Sequence, residues 1–197
     1  MRARMAIRQS NIEIELREVD LKNKPNAMLE ASPKATVPVL INQNSITDES
    51  LDIMLWALQQ SDPDNWLIKQ HLDEINSLIK FNDNIFKIHL DHYKYSDRFP
   101  QQSQLSYREK GEEFLQQLEA RLNTHTFLIG SEPCLADIAL FPFIRQFAYV
   151  DIKWFEHSPY TKLRHWLQFW LESDLFKSIM QKYPAWQEDQ PPTIFLI

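Results

Sequence analysis

The chain has 197 residues, 44% of them hydrophobic and 24% charged, the composition of an ordinary globular protein with enough length to bury a full core. Its net charge of −6, from 21 basic and 27 acidic side chains, argues against a nucleic-acid partner bound through a basic surface. Two glycines and one cysteine exclude a glycine-rich phosphate loop, an intramolecular disulfide and a cysteine-based metal cluster. A lone cysteine suits a reducing, cytoplasmic setting. No run of about 18 apolar residues is present, so no membrane partner is expected. The opening MRARMAIRQS has no apolar stretch of signal-peptide length.

Residues 2–9 are mostly good helix formers, with the turn expected at Ser10-Asn11. Residues 12–16, IEIEL, alternate apolar and charged, the pattern of a half-buried strand. Residues 25–31 allow one or two helical turns. Residues 37–41 and 45–47 read as short strands around the turn Asn42-Gln43-Asn44. Asp48 or Thr47 then caps a helix through Gln59. A junction is expected near Ser61-Asp62-Pro63-Asp64, where the prolines of the first third give way to long proline-free stretches.

The remainder reads as helical. Across 65–95, Ile68, Leu72, Ile75, Ile79, Phe86, Leu90 and Tyr93 repeat at helical steps. Across 102–122, Phe114, Leu115, Leu118 and Leu122 form a shorter stripe, with Gly111 marking a close helix crossing. Residues 135–144 are apolar nearly all round, as in a helix at the centre of a bundle, and Pro142 should kink it. Residues 160–172 and 174–183 give two more helices, and 184–197 a proline-containing tail.

Three stretches, LKNKP at 21–25, SPKATVPVL at 32–40 and DESLDI at 48–53, together with Gly130 and CLADIAL at 134–140, resemble the glutathione S-transferase superfamily, the omega class and related bacterial members most of all. The resemblance implies an α+β thioredoxin-like N-terminal domain over residues 1–61 and an all-helical domain over 64–197. It implies glutathione as co-substrate, with no metal, and conjugation to a small hydrophobic electrophile or glutathione-dependent exchange with a disulfide. A non-catalytic scaffold or binding protein is the alternative, and a homodimer is compatible with either. The glutathione site it implies is Lys24, Val37, Pro38, Glu49 and Ser50. Glutathione is an extended peptide with two carboxylates, an ammonium and a thiol. A strand edge at Val37-Pro38, the proline cis as in the family, would pair with its backbone. Glu49 would take the ammonium, Ser50 and the helix N-terminal N–H groups the γ-glutamyl carboxylate, and Lys24 the glycyl end. Glu49 and Ser50 also fit a plain first helical turn, and Lys24 a solvated lysine.

The family's first strand and thiol-holding loop have no counterpart in these residues. The expected catalytic residue therefore lies before Met1, and the strand at 12–16 should lack a neighbour. Cys134 stands where a capping serine or threonine is usual, with Asp137 expected to supply most of the capping. His89 and His92 suggest a metal only weakly, without a third ligand. Tyr93, Tyr95, Phe141, Phe143, Phe147, Trp154, Phe155, Trp166 and Trp170 suit a core, one or two of them a pocket for an apolar co-substrate.

Overall fold

A computed structural model of the chain describes residues 1–43 and 45–195. It divides into two compact units, residues 1–64 with 174–197, and residues 65–173.

In the first unit, helix α1 (Arg2–Gln9) buries Ala3, Met5, Ala6 and Ile7. It packs on helix α3 (Ser50–Gln60), whose buried face is Ile53, Met54, Ala57 and Leu58. The chain leaves α1 through Asn11 at φ 55°, a left-handed position that asparagine tolerates. Strand β1 is only Ile14–Glu15, and helix α2 is Asn26–Ala31. Strands β2 (Leu40–Asn42) and β3 (Ser45–Thr47) form an antiparallel hairpin with Leu40 opposite Thr47. The first strand of this hairpin begins three residues later than its apolar run suggests, so Val37-Pro38 lies outside the ladder. Asn44, part of the expected turn, falls outside the described residues.

The second unit is helical. Helix α4 (Leu72–Phe81), a π-helical turn at Asn82–Phe86 and helix α5 (Lys87–Lys94) run on continuously. They are followed by α6 (Gln104–Leu122), α7 (Leu135–Ala148), α8 (Ile152–His157) and α9 (Thr161–Glu172). Pro142 lies inside α7, and ten of that helix's residues, from Leu135 to Ala148, are buried. Phe81, Phe86, Phe114, Phe147 and Tyr93 touch ring to ring at the centre, with centroids 4.9–5.3 Å apart. The helix α8 has no apolar stripe in sequence; it is set by Asp151, whose carboxylate accepts the Trp154 N–H at 3.0 Å.

The chain's last part departs from the expected boundary. Helix α10 (Asp174–Ile179) is shorter than the expected 174–183 and buries Phe176 and Ile179 against α1. Beyond it, strand β4 (Ile194–Phe195) pairs antiparallel with β1, Ile14 opposite Phe195. Residues 174–197 thus fall with the first unit, and β1, expected to stand alone, has a partner from the tail. The tail's strand escaped sequence reading because three prolines, Pro184, Pro191 and Pro192, mask its short apolar end.

Candidate functional site

The end of the β2–β3 hairpin gathers four of the five expected site residues. Because Leu40 faces Thr47, the residues just before Leu40 and just after Thr47 lie at the same end of the ladder. Val37 and Pro38 precede it, Glu49 and Ser50 follow it. The Val37–Pro38 bond is cis. Val37 is 47% exposed, and its backbone N–H and C=O take part in no ladder or turn among the described residues. That leaves both groups available to an extended chain.

Glu49 is the N-cap of α3, but its carboxylate does not cap the helix; its carbonyl accepts the Ile53 N–H at 3.1 Å. Ser50 is the first helical residue and is half-buried. The first N–H groups of α3 therefore open toward the same end of the hairpin, where the helix dipole favours an anion.

The loop 32–38 is tied to this helix start by three bonds. The Ser32 hydroxyl donates to Asp48 Oδ2 at 2.8 Å, and Lys34 Nζ donates to Asp48 Oδ1 at 3.0 Å and to Glu49 Oε1 at 2.8 Å. The Ser32 hydroxyl, and then the Lys34 ammonium, hold the Asp48 carboxyl below the usual carboxylate range. The bonds from Glu49 and Asp48 raise Lys34 in turn. Sequence reading missed Lys34. A lysine two residues after Ser32, facing the acidic pair Asp48-Glu49, was the available signal, but nothing in the spacing says that the loop folds back onto the helix.

Lys24 lies apart from this cluster. It lines a groove of about 430 Å³ with Asn23, Pro25, Asn26 and Glu30 on one side and Trp186 to Glu188 of the tail on the other.

Cys134 is fully buried, and burial, then the neighbouring Asp137 carboxylate, pushes its thiol far up. Such a thiol is not a nucleophile. It is part of a buried knot around Asp137, whose carboxylate accepts the N–H groups of Leu128 (3.1 Å) and Cys134 (3.0 Å), the Cys134 thiol (3.3 Å) and Trp166 Nε1 (2.7 Å). Burial raises the Asp137 carboxyl, and these donors oppose the rise. His92 packs against Phe99 with centroids 4.0 Å apart and the rings tilted by 42°, and meets the Tyr107 ring edge-on. Of the aromatics with a dual reading, Tyr93, Phe141, Phe147, Phe155, Trp166 and Trp170 are core residues of the helical unit, each at most 3% exposed.

The sequence matches two family models, the glutathione S-transferase N-terminal domain over residues 1–65 and the glutathione S-transferase C-terminal domain over residues 81–174. No curated protein matches it. Among solved structures it is similar to a glutathione S-transferase from Xylella fastidiosa, with 18% identity, 90% of each chain covered and a TM-score of 0.74. It is similar to glutathione S-transferase 1-6 from Anopheles dirus species B, with 19% identity, 89% of this chain and 86% of that one covered, and a TM-score of 0.72. A glutathione S-transferase I bound with lactoylglutathione gives 17% identity, coverage of 90% and 91%, and a TM-score of 0.73. At these identities the structural likeness speaks for the fold.

Proposed function

The chain belongs to the glutathione S-transferase superfamily, and from that premise we propose that it binds glutathione at the end of the β2–β3 hairpin and uses it as a co-substrate. The reaction proposed is conjugation to a small hydrophobic electrophile or exchange with a disulfide. One observation carries this reading: Val37, with an uncommitted backbone, and the start of α3 lie at the same end of one hairpin, linked through Lys34 and Ser32.

In this reading the ligand's backbone pairs with Val37 beside Pro38. Its γ-glutamyl carboxylate sits at the Ser50 hydroxyl and the first N–H groups of α3. Its ammonium goes to Glu49, exchanging with the Lys34 ammonium that the carboxylate now holds. Lys34 and Glu49 are both well exposed, so the exchange is easy. Lys24 would take the glycyl carboxylate.

Calorimetry tests it. Charge-assisted contacts are worth about 1.5–3 kcal/mol each. Glu49→Ala with Ser50→Ala should therefore weaken glutathione at least about 10-fold while leaving the helical unit's melting unchanged. Equal binding by the wild type and the double variant overturns the assignment. Turnover of a generic electrophile by the wild type decides between an enzyme and a glutathione-binding scaffold.

A further inference from the structure

The tail after α10 is held to the first unit at a few separated points. The Trp186 N–H donates to the Glu18 carbonyl at 2.8 Å, and the Leu16 N–H donates to the Thr193 carbonyl at 2.7 Å. Between those points, residues 187–192 are exposed. At the far end Phe195 is 1% exposed, with the Arg8 guanidinium 5.5 Å from its ring centroid and the Tyr183 ring at 6.5 Å. At the near end the Arg17 guanidinium lies 4.6 Å from the Trp186 ring centroid. Strands β1 and β4 form a two-stranded sheet of their own: main-chain bonds to β1 set the register, and the buried Phe195 side chain gives the hold. The connecting stretch folds through a turn in which the Gln190 N–H donates to the Gln187 carbonyl at 3.2 Å, and the prolines at 184, 191 and 192 restrict the backbone on either side of it, which lowers the entropy lost on docking. So few anchors, all within reach of water except Phe195, describe a segment that opens locally before the unit unfolds.

The same segment builds part of a second feature. Trp186, Gln187 and Glu188 form one side of the groove that holds Lys24. Lys24 offers that groove's occupant an ammonium and Asn23 and Asn26 offer amide donors for a peptide's carboxylate, while Glu30 and Glu188 on the same walls favour a cationic or amide group beside it. The groove has this shape only while the tail is docked.

We propose that residues 184–195 are a docked strand strap: they occupy the β1 edge through Thr193 and Phe195, and by doing so they complete the ligand groove at Lys24. The second half of this statement rests on the glutathione reading above; the first half does not.

The 197-residue chain serves for the test, as wild type, Phe195→Ala and Trp186→Ala. Hydrogen exchange read by mass spectrometry should show residues 12–18 exchanging at least about 10-fold faster in Phe195→Ala, with residues 72–172 unchanged. A synthetic peptide of residues 184–195 added to that variant should restore the protection. Unchanged exchange in Phe195→Ala, or no restoration by the peptide, overturns the strap. Should Phe195→Ala fail to fold, Phe195→Leu, which keeps an apolar filler, should give an intermediate rate, and a wild-type rate there overturns the strap as well. Trp186→Ala, at a half-buried position, should leave Phe195 docked and weaken glutathione about 5-fold by calorimetry. Wild-type affinity in that variant overturns the groove-wall role. A wild type that binds no glutathione counts against the functional reading, and the exchange result still decides the strap.

Discussion

Ala35 holds a left-handed backbone at φ 54° in the loop that carries Val37, and its N–H donates to the Ser32 carbonyl at 2.9 Å. A Cβ in that conformation costs about 1–2 kcal/mol. Ala35→Gly should therefore stabilise the first unit by about 1 kcal/mol after the glycine's added freedom in the unfolded chain is subtracted. Thermal melting should show a rise of about 2–4 °C. Nearby, Asp48 has its carboxyl lowered by Ser32 first and Lys34 second. A depressed carboxylate contributes stability above its unfolded value, about 3.9, and that contribution is lost as the pH falls through the lower folded value. Titration followed by NMR should place the Asp48 midpoint below that of an ordinary aspartate. Ser32→Ala should move it up, and an unmoved midpoint would mean that the hydroxyl does not set it.

At the scale of elements, helix ends and crossings in the second unit are fixed by single side chains. The α9 start has no cap of its own; the Glu119 carboxylate, from α6, accepts the N–H groups of Lys162 (3.0 Å) and Leu163 (2.8 Å). Asp137 serves the α7 start in the same way while also binding Trp166 of α9. Gly111 is the point where α6 meets the Phe147 ring. A Cβ there would stand 2.8 Å from Phe147 Cζ and closer still to Cε2. Alanine is the better helix former, by up to about 1 kcal/mol, but the buried aromatic cluster around Phe147 has no slack. Gly111→Ala should destabilise the unit by about 1–3 kcal/mol. Chemical denaturation measures it, and a neutral or stabilising result would show that Phe147 moves freely.

Over the whole molecule, two buried tyrosines set an alkaline limit. Burial raises both Tyr93 and Tyr160, and Tyr160, which donates to Glu112 at 2.7 Å, is pushed up to about 12. A group raised in the folded state gives its full stabilisation below its unfolded value, about 10, and loses it as the pH climbs through the folded value. Stability should fall between about pH 10 and pH 12. Tyr160→Phe should flatten that slope while costing stability at neutral pH through the lost hydroxyl bond. Urea midpoints across that range check both signs. The first unit is also discontinuous in sequence, joining residues 1–64 to 174–197. Its assembly requires contacts between the two ends of the chain, whose wide sequence separation adds a loop-closure cost.

What the sequence by itself determined was whatever local chemistry and periodicity can encode. Helical repeats placed the long α4–α5 run and α6, helix-forming residues α1, a cap candidate α3 and an all-round apolar run α7, and the ordered motifs from Leu21 to Leu140 carried the family and the fold class. Val37-Pro38 and Glu49-Ser50 entered as candidates through the family resemblance, and the hairpin brings them to one end; their role in binding is the proposal made above. The tertiary structure alone decided what depends on partners distant in the chain. Lys34 pairs with Glu49 only because the loop folds back across 15 positions. Phe195 is core only because β1 leaves an edge for it 181 residues earlier, opposite Ile14. Neither residue differs locally from a solvated lysine or a loose terminal aromatic. Burial and pairing, not propensity, assign their roles, and those are properties of the assembled fold.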